Sequence, residues 1–209
     1  MLLYDYFRST AAYRVRIALN LKGIAYERTE VHLVRDGGEH LKPAYRAINP
    51  QGRVPSLALD DGSVLVQSPA ILEWIEERYP EPCLLPGDAT ERARIRAVVA
   101  LVACDIHPIN NLSTLNYLRA HFGATPEAIT AWYCHWIEEG FACIERMIEG
   151  GRFCFSDRPT LADAVLVPQV FNARRFDVPL GAFPKVVAVE TACLQLEAFA
   201  AASPERVGG

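Results

Sequence analysis

The first 35 residues alternate between short apolar runs and one amphipathic stretch. LLYDYF at 2–7 and AYERTEVHL at 25–33 have the short apolar pattern that is typical of strands. Between them, residues 12–21 repeat apolar positions at helical spacing and end at Lys22–Gly23, a common C-terminal signal of helices. The pattern therefore predicts a strand, a helix and a second strand, in that order.

The next 45 residues predict a short helix, a hairpin and a longer helix. GGEHLKPAYRAINP at 37–50 is polar and holds at most a short helix, which Pro43 is expected to interrupt. VPSLALDDGSVLV at 54–66 predicts a hairpin, because apolar residues alternate on either side of the turn dipeptide Asp61–Gly62. Ser68, followed by proline, is expected to cap the next helix. The order β-α-β-α-β-β-α indicates a mixed, thioredoxin-like sheet.

Strand patterns end after residue 80. PEPCLLPGD at 80–88 is typical of a linker, and Pro108 is expected to kink or break the first helix that follows. Helical patterns cover residues 89–122, 126–148, 161–174 and 184–200. Within the third pattern, Thr160 and Asp163 predict a capping box. The expected architecture is an α/β thioredoxin-like domain at 1–80, a linker at 81–88 and an all-α domain at 89–209.

Composition narrows the classes of function. The chain of 209 residues is 51% apolar with a net charge of −4, and it carries no basic block of the kind that binds nucleic acid. No apolar run reaches the 18 residues of a membrane span, and no basic, apolar targeting segment precedes the first strand. The six cysteines form no CxxC pair or zinc-ligand spacing, and five lie in or beside apolar runs, where burial is expected. We therefore expect a folded cytoplasmic protein without a metal.

The segment FRSTAAYRVRIALNLKG at 7–23 carries the first candidate chemistry. Ser9 or Thr10 must occupy the turn into the first helix, where helix capping alone explains a hydroxyl. Arg8 lies beside them at the end of the strand, where the carboxylate of a substrate could reach it. Arg14 and Arg16 point to different sides of the helix, and one of them is expected to pair internally or to extend along the surface.

Two further segments carry weaker signals. In NPQGRVPSL, Pro55 is more often trans than cis, but a cis bond would leave the backbone N–H and C=O of Val54 free to pair with an extended peptide. In QSP, Ser68 caps a helix whose N-terminus also suits a carboxylate, and Gln67 would add a donor. A thioredoxin-like sheet brings these positions to one edge. Such a groove suits a small extended peptide with a thiol at one end and a carboxylate at the other, a description that fits glutathione.

The chain resembles the zeta class of the glutathione transferase superfamily, a class that includes maleylacetoacetate and maleylpyruvate isomerases. The resemblance extends over essentially the whole chain and rests on five segments: YRVRIALNLKGIAYE, NPQGRVPSL, QSPAILEWIEERYP, CDIHPINNLSTLNYL and PTLADAVLVPQVFNARRF. It implies the glutathione transferase fold, a homodimer, glutathione as the cofactor, and cis–trans isomerisation of a small dicarboxylic keto acid.

The resemblance also implies roles for single residues. Ser9 matches the serine that activates the thiol, Thr10 keeps a second hydroxyl, and Ala11 replaces a cysteine of the family motif. Arg8 and Arg175 match positions expected to bind the substrate. The positions expected to bind glutathione or to border its cleft are Val54, Pro55, Gln67, Ser68, His107, Asn110 and Asn111.

Two alternatives stay open at this point. The same thiol chemistry serves a general glutathione transferase or a dehalogenase of small α-halo acids, and a transferase-like binding protein would show no turnover. Tyr4 and Tyr6 lie where other transferase classes place a thiol-activating tyrosine, but with Ser9 at the turn we expect both to be strand core.

Overall fold

A computed structural model describes residues 1–149 and 151–208. The chain divides into two compact units, one formed by residues 1–84 together with the chain from Leu194 onward, the other by residues 85–193. This division differs from the predicted boundaries, because the last helical segment belongs to the first unit. The first helix holds that segment: Asn20 Nδ2 donates to the carbonyl of Ala198 at 3.0 Å, and Arg16 Nε to that of Ala202 at 2.8 Å.

The first unit contains a four-stranded mixed sheet, as predicted. Its strands are β1 (Leu2–Asp5), β2 (Glu27–Glu30), β3 (Ser56–Ala58) and β4 (Val64–Val66). The spatial order is β2-β1-β3-β4, with β1 and β2 parallel and the other two pairs antiparallel. β1 ends at Asp5, two residues earlier than predicted, because the chain turns there towards the first helix.

Antiparallel pairing brings three chain segments to the same end of this sheet. Ser56 of β3 pairs with Tyr4 of β1 on one side and with Val66 of β4 on the other. The chain that leaves β1, the chain that enters β3 and the chain that leaves β4 therefore meet there.

The helices of the first unit cover both short and long segments. They are α1 (Thr10–Leu21), α2 (Pro43–Arg46), α3 (Ser68–Arg78), α9 (Glu197–Ala200) and α10 (Pro204–Val207). Pro43 begins α2 instead of interrupting a helix, because its missing N–H is not needed at the first position. α1 packs on α3, and fully buried side chains such as Leu3, Ile17, Leu57 and Ile71 form the core.

The second unit is helical. Its helices are α4 (Ala89–Ala100), α5 (Leu112–Phe122), α6 (Pro126–Met147), α7 (Leu161–Arg175) and α8 (Pro184–Leu194), so the helix predicted over 184–200 is two separate helices. The predicted break at Pro108 is present: a π-helical segment, Leu101–Ile106, leads into a turn, and α5 begins at Leu112. Gly140 of α6 lies against this segment, since a Cβ there would overlap the side chain of Ile106.

The predicted capping box at α7 is also present. The carboxylate of Asp163 accepts the N–H of Thr160 at 2.7 Å and that of Cys154 at 2.8 Å, so α7 is tied to the preceding loop. In the described part of the chain, no helix is both long and apolar enough to cross a lipid bilayer.

The cysteines are all free, but the expectation that five are buried is wrong. Only Cys154 and Cys193 are buried, whereas Cys83, Cys104 and Cys143 are exposed. Cys104 and Cys143 lie in helical segments that have one solvent-facing side. An apolar neighbour in the sequence therefore does not bury the cysteine beside it.

Candidate active site

The turn between β1 and α1 presents Ser9. The N–H of Ser9 donates to the carbonyl of Tyr6 at 2.8 Å, and its Oγ accepts the N–H of Ala12 at 3.2 Å, so Ser9 is the N-cap of α1 as predicted. Ser9 is half-buried, whereas Thr10, the first residue of the helix, is only 2% exposed. Ser9 therefore offers the more accessible hydroxyl, beside the N–H groups of a helix N-terminus that favour an anion.

Arg8 is exposed on the same turn. Its guanidinium lies 5.0 Å from the centre of the Phe7 ring. Among residues 1–149 and 151–208, no carboxylate pairs with Arg8. Its charge remains available to an anionic molecule.

Arg14 and Arg16 are both buried, although only one was expected to pair internally. Arg14 Nη1 donates to Ser68 Oγ at 3.2 Å, which joins α1 to the start of α3. Arg16 Nη1 binds the carboxylate of Asp5 at 2.7 and 2.9 Å. These two arginines hold the first unit together, and the prediction missed this because it depends on contacts distant in sequence.

The peptide bond between Val54 and Pro55 is cis. The segment alone favoured trans, so the rarer of the two possibilities is the one present. Val54 packs in a small cluster with Tyr6, Val31 and Tyr45, against which Phe7 also packs. Within the described residues, no hydrogen bond uses the backbone N–H or C=O of Val54. Both groups are therefore available to an added extended peptide.

A buried polar network holds the loop that precedes Val54. The hydroxyl of Tyr45 donates to the carbonyl of Arg53 at 2.7 Å and lies 2.9 Å from Ser56 Oγ. Asn49 Nδ2 donates to the same carbonyl at 2.8 Å. Burial raises the pKa of Tyr45, so its hydroxyl stays protonated and can donate. This support was not predicted, since nothing in the local pattern relates Tyr45 to Arg53.

Gln67, and not Ser68, occupies the N-cap of α3. Ser68 is already helical, is 3% exposed, and accepts the hydrogen bond from Arg14. Gln67 has a φ of +69°, an unfavourable backbone conformation for a residue other than glycine, and such residues cluster at ligand-binding sites. Its Nε2 donates to Gln51 Oε1 at 2.7 Å. Gln51 is thus a candidate site residue that the sequence analysis missed, and only this contact reveals it.

In the second unit, the break after the π-helical segment carries the next three candidates. His107 Nε2 lies 3.5 Å from Asn111 Nδ2, and Asn111 caps α5. Asn110 is 7% exposed and donates to the carbonyl of Tyr133 at 3.4 Å, while its Oδ1 is buried without a hydrogen-bond partner among the described residues.

Arg175 ends α7 and is exposed. Its guanidinium lies 5.4 Å from the centre of the Phe176 ring, which stacks on Tyr133 at 3.7 Å. Burial raises the pKa of Tyr133, and the positive charge of Arg175 acts in the opposite direction. Tyr133 thus contacts both the Asn110 segment and the end of α7, a role that its position in an apolar helical pattern did not indicate.

Within each unit, some of the predicted site residues lie close to one another. In the first, Ser9, Val54 and Gln67 lie on the three segments that meet at one end of the sheet. In the second, Asn110 donates a hydrogen bond to the carbonyl of Tyr133, and the charge of Arg175 acts on the side chain of the same tyrosine.

Comparison with known proteins identifies the family. The profile of the glutathione S-transferase N-terminal domain matches residues 3–83, and that of the C-terminal domain matches residues 137–191. The chain belongs to the glutathione S-transferase family.

Within that family, its relatives include a solved structure named as zeta class. Maleylacetoacetate isomerase of Pseudomonas aeruginosa PAO1 is 53% identical over 98% of this chain and 96% of its own length. The holo structure of maleyl pyruvate isomerase, a bacterial zeta-class enzyme, is 52% identical, covers 99% of this chain and 98% of its own, and has a TM-score of 0.95. Maleylacetoacetate isomerase of Methylobacterium extorquens AM1, with malonate and GSH bound, is 38% identical over 99% of this chain and 97% of its own, with a TM-score of 0.93.

Proposed function

We propose that this protein is a glutathione-dependent cis–trans isomerase that converts maleylacetoacetate or maleylpyruvate into the fumaryl isomer. The observation that carries the proposal is the accessible hydroxyl of Ser9 at the N-terminus of α1, at the same end of the sheet as the unpaired backbone of Val54. Relatives at 52–53% identity over nearly the whole chain are named as isomerases of these two substrates.

The residues of the first unit fit glutathione. The free N–H and C=O of Val54 suit the backbone of its cysteinyl residue, which would add to the sheet end as a short strand. Gln67 and Ser68 lie at the N-terminus of α3, where helix N–H groups favour the γ-glutamyl carboxylate. Pro55, buried behind Val54, shapes this edge.

The chemistry needs a thiolate. When bound, glutathione supplies a sulfur nucleophile whose reversible addition to the carbon–carbon double bond permits rotation. Ser9 donates a hydrogen bond to that sulfur, and the α1 N-terminus adds its positive potential. Lowering a thiol pKa from about 8.5 by about two requires roughly 2.7 kcal/mol of thiolate stabilisation, which the Ser9 hydroxyl and the α1 N-terminus would supply together. Ala11, in place of the family's cysteine, leaves this work to Ser9.

The substrate presents carboxylates and a keto group. Arg8 and Arg175 are exposed and carry no carboxylate partner in the described residues, so they bind these groups and stabilise negative charge that develops on the keto oxygen. The malonate bound by the Methylobacterium relative is a small dicarboxylate of the kind expected. His107, Asn110 and Asn111 border the site and contact glutathione or substrate.

Replacing Ser9 with alanine tests the proposal. Ser9→Ala should raise the pKa of the thiol of bound glutathione and should lower turnover of the cis substrate. The ultraviolet absorbance of the thiolate measures that pKa. Thr125→Ala is the matched control, because Thr125 caps α6 in the same way, accepting the N–H of Ala128 at 3.3 Å. Both variants lose a helix cap worth about 1 kcal/mol, so only a thiol effect separates them. Equal pH–rate profiles in the two variants would remove Ser9 from its role.

The assay also distinguishes the remaining functions. Loss of the absorbance of maleylacetoacetate or maleylpyruvate, dependent on glutathione and without its consumption, is expected. A conjugate or halide release with no isomerisation would indicate a transferase or dehalogenase instead. The ratio of kcat/KM for the two substrates identifies the native one.

We further infer that the protein is a cytoplasmic homodimer. The family resemblance supports the dimer, and the free state of all six cysteines supports a reducing compartment. Sedimentation equilibrium of the purified protein should give twice the chain mass of 23.2 kDa.

A further inference from the structure

Arg16 has more partners than a simple ion pair requires. Its Nη1 binds Asp5, its Nη2 donates to the carbonyl of Phe7 at 3.1 Å, and its Nε donates to the carbonyl of Ala202 at 2.8 Å. The side chains of Arg16 and Asp5 are both 0% exposed, and Arg28 Nε also binds Oδ2 of Asp5, at 2.9 Å. One buried guanidinium thus joins the end of β1, the following turn and the C-terminal segment.

Stability alone does not account for this arrangement. A buried ion pair of this kind often contributes no more stability than well-packed apolar residues of similar volume. The distinctive feature is the position of the acceptors, since Phe7 directly precedes Arg8 and lies two residues before Ser9. A planar guanidinium with donors in a fixed fork holds such acceptors in one geometry, which an ammonium group cannot do.

We propose that Arg16 is a positioning residue for the thiol: it fixes the Asp5–Phe7 turn against the C-terminal segment and thereby orients the hydroxyl of Ser9. The inference rests on the proposed role of Ser9 in activating glutathione. A hydrogen bond to the thiolate depends steeply on angle and distance, so a small displacement of the turn weakens it.

Arg16→Lys tests the inference, because it keeps the charge beside Asp5 and removes the fork. The expected result is largely retained binding of glutathione, about a tenfold lower fraction of thiolate at neutral pH, and a comparable fall in kcat. Lys22→Gln is the matched control. Lys22, the C-cap of α1, forms another buried ion pair, with Glu76 at 2.5 Å, and among the described residues its side chain makes no hydrogen bond to Phe7 or Ala202. It should lower stability without changing the thiol pKa.

A second variant covers the case in which Arg16→Lys fails to fold. Arg16→Met combined with Asp5→Leu removes both buried charges, so folding is expected to survive, while the bonds to Phe7 and Ala202 are lost. This protein should also hold glutathione with a raised thiol pKa. An unchanged thiol pKa in whichever variant folds overturns the inference.

Adding Ser9→Ala separates this inference from the proposed function. If Arg16 acts through Ser9, then Arg16→Lys has no further effect on the thiol pKa in the Ser9→Ala background. An additive effect, or an effect of Arg16→Lys where Ser9→Ala has none, overturns the inference. If Ser9→Ala raises the pKa and Arg16→Lys does not, the inference fails while the role of Ser9 stands; if neither does, both fail.

Discussion

One pair of arginines in each unit shows the same contrast between a role in the fold and a role in anion binding. In the first unit Arg16 is buried and fully paired, whereas Arg8, on the adjoining turn, is exposed and pairs with no carboxylate among the described residues. In the second unit Arg174 binds Glu190 through Nε at 2.9 and 3.0 Å, whereas its neighbour Arg175 lies over the Phe176 ring and has no carboxylate partner in the part of the chain that the structure describes. In each of these two pairs, one arginine is committed to the fold and the other remains available to an anion.

This difference shows how a charge is assigned to structure or to ligand binding. A buried guanidinium must find a carboxylate and carbonyls, because desolvation is otherwise too unfavourable. An exposed guanidinium on an aromatic face is held by the ring and keeps its donors for a substrate. The presence of an acid partner therefore separates the two roles better than sequence does, since Arg174 and Arg175 are adjacent and both exposed, yet only Arg174 binds a carboxylate among the described residues.

The largest expected effect is on the free energy of unfolding, when the buried and paired Arg16 is replaced. Arg16→Met alone should lower the free energy of unfolding by about 3–5 kcal/mol, because it leaves Asp5 buried with only Arg28. Arg8→Met should change it by about 0.5 kcal/mol or less. Urea unfolding of both variants measures the difference. Similar losses in the two proteins would contradict the distinction between them.

An intermediate effect is expected when Arg174 or Arg175, the two adjacent arginines at the end of α7, is replaced. Arg175→Ala should lower kcat/KM by about tenfold to a hundredfold, since a charge-assisted hydrogen bond to a substrate carboxylate is worth about 1.5–3 kcal/mol, and should leave stability unchanged. Arg174→Ala should do the reverse. It leaves the carboxylate of Glu190, 6% exposed, without its partner and so destabilises the fold by about 1–3 kcal/mol. Steady-state kinetics and thermal unfolding of both proteins decide the matter.

The smallest effect is on the pH dependence of stability, at an ionisable side chain that pairs with no carboxylate among the described residues. His40 is half-buried, with Nδ1 lacking a hydrogen-bond partner in the described chain, and burial together with the charge of Arg46 lowers its pKa. The pKa of His40 in the folded protein lies below the unfolded value of about 6.5. The contribution of neutral His40 to stability is therefore complete above about pH 6.5 and is lost as pH falls through the folded pKa. His40→Gln should flatten that dependence. A titration of the His40 ring protons by NMR that gives an ordinary pKa would contradict it.

Much of the fold was predictable because its signals are local. The hairpin at Asp61–Gly62, the Ser9 cap and the capping box of Thr160 and Asp163 each depend on residues within a few positions. The break at Pro108 follows from the chemistry of a single residue.

The remainder depends on contacts distant in sequence. The burial of Arg14 and Arg16 requires Ser68 and Ala202, and the inclusion of the C-terminal segment in the first unit follows from the same bonds. The left-handed backbone of Gln67 and its contact with Gln51 have no signal in QSP or NPQGR. Local segments gave the candidate site residues of the first unit only as weak signals, because capping explains a lone hydroxyl equally well. The family resemblance assigned their roles and added the candidates of the second unit.

The edges of the sheet carry a consequence for solubility. Three of the four residues of β2, Glu27, Arg28 and Glu30, are charged, and all four are exposed. Unpaired strand edges template pairing with other chains, and charged side chains discourage it. The opposite edge, β4, presents Val64, Leu65 and Val66. The charges on β2 therefore disfavour aggregation at one edge of the sheet. Replacing them with apolar residues would leave both edges, β2 and β4, apolar.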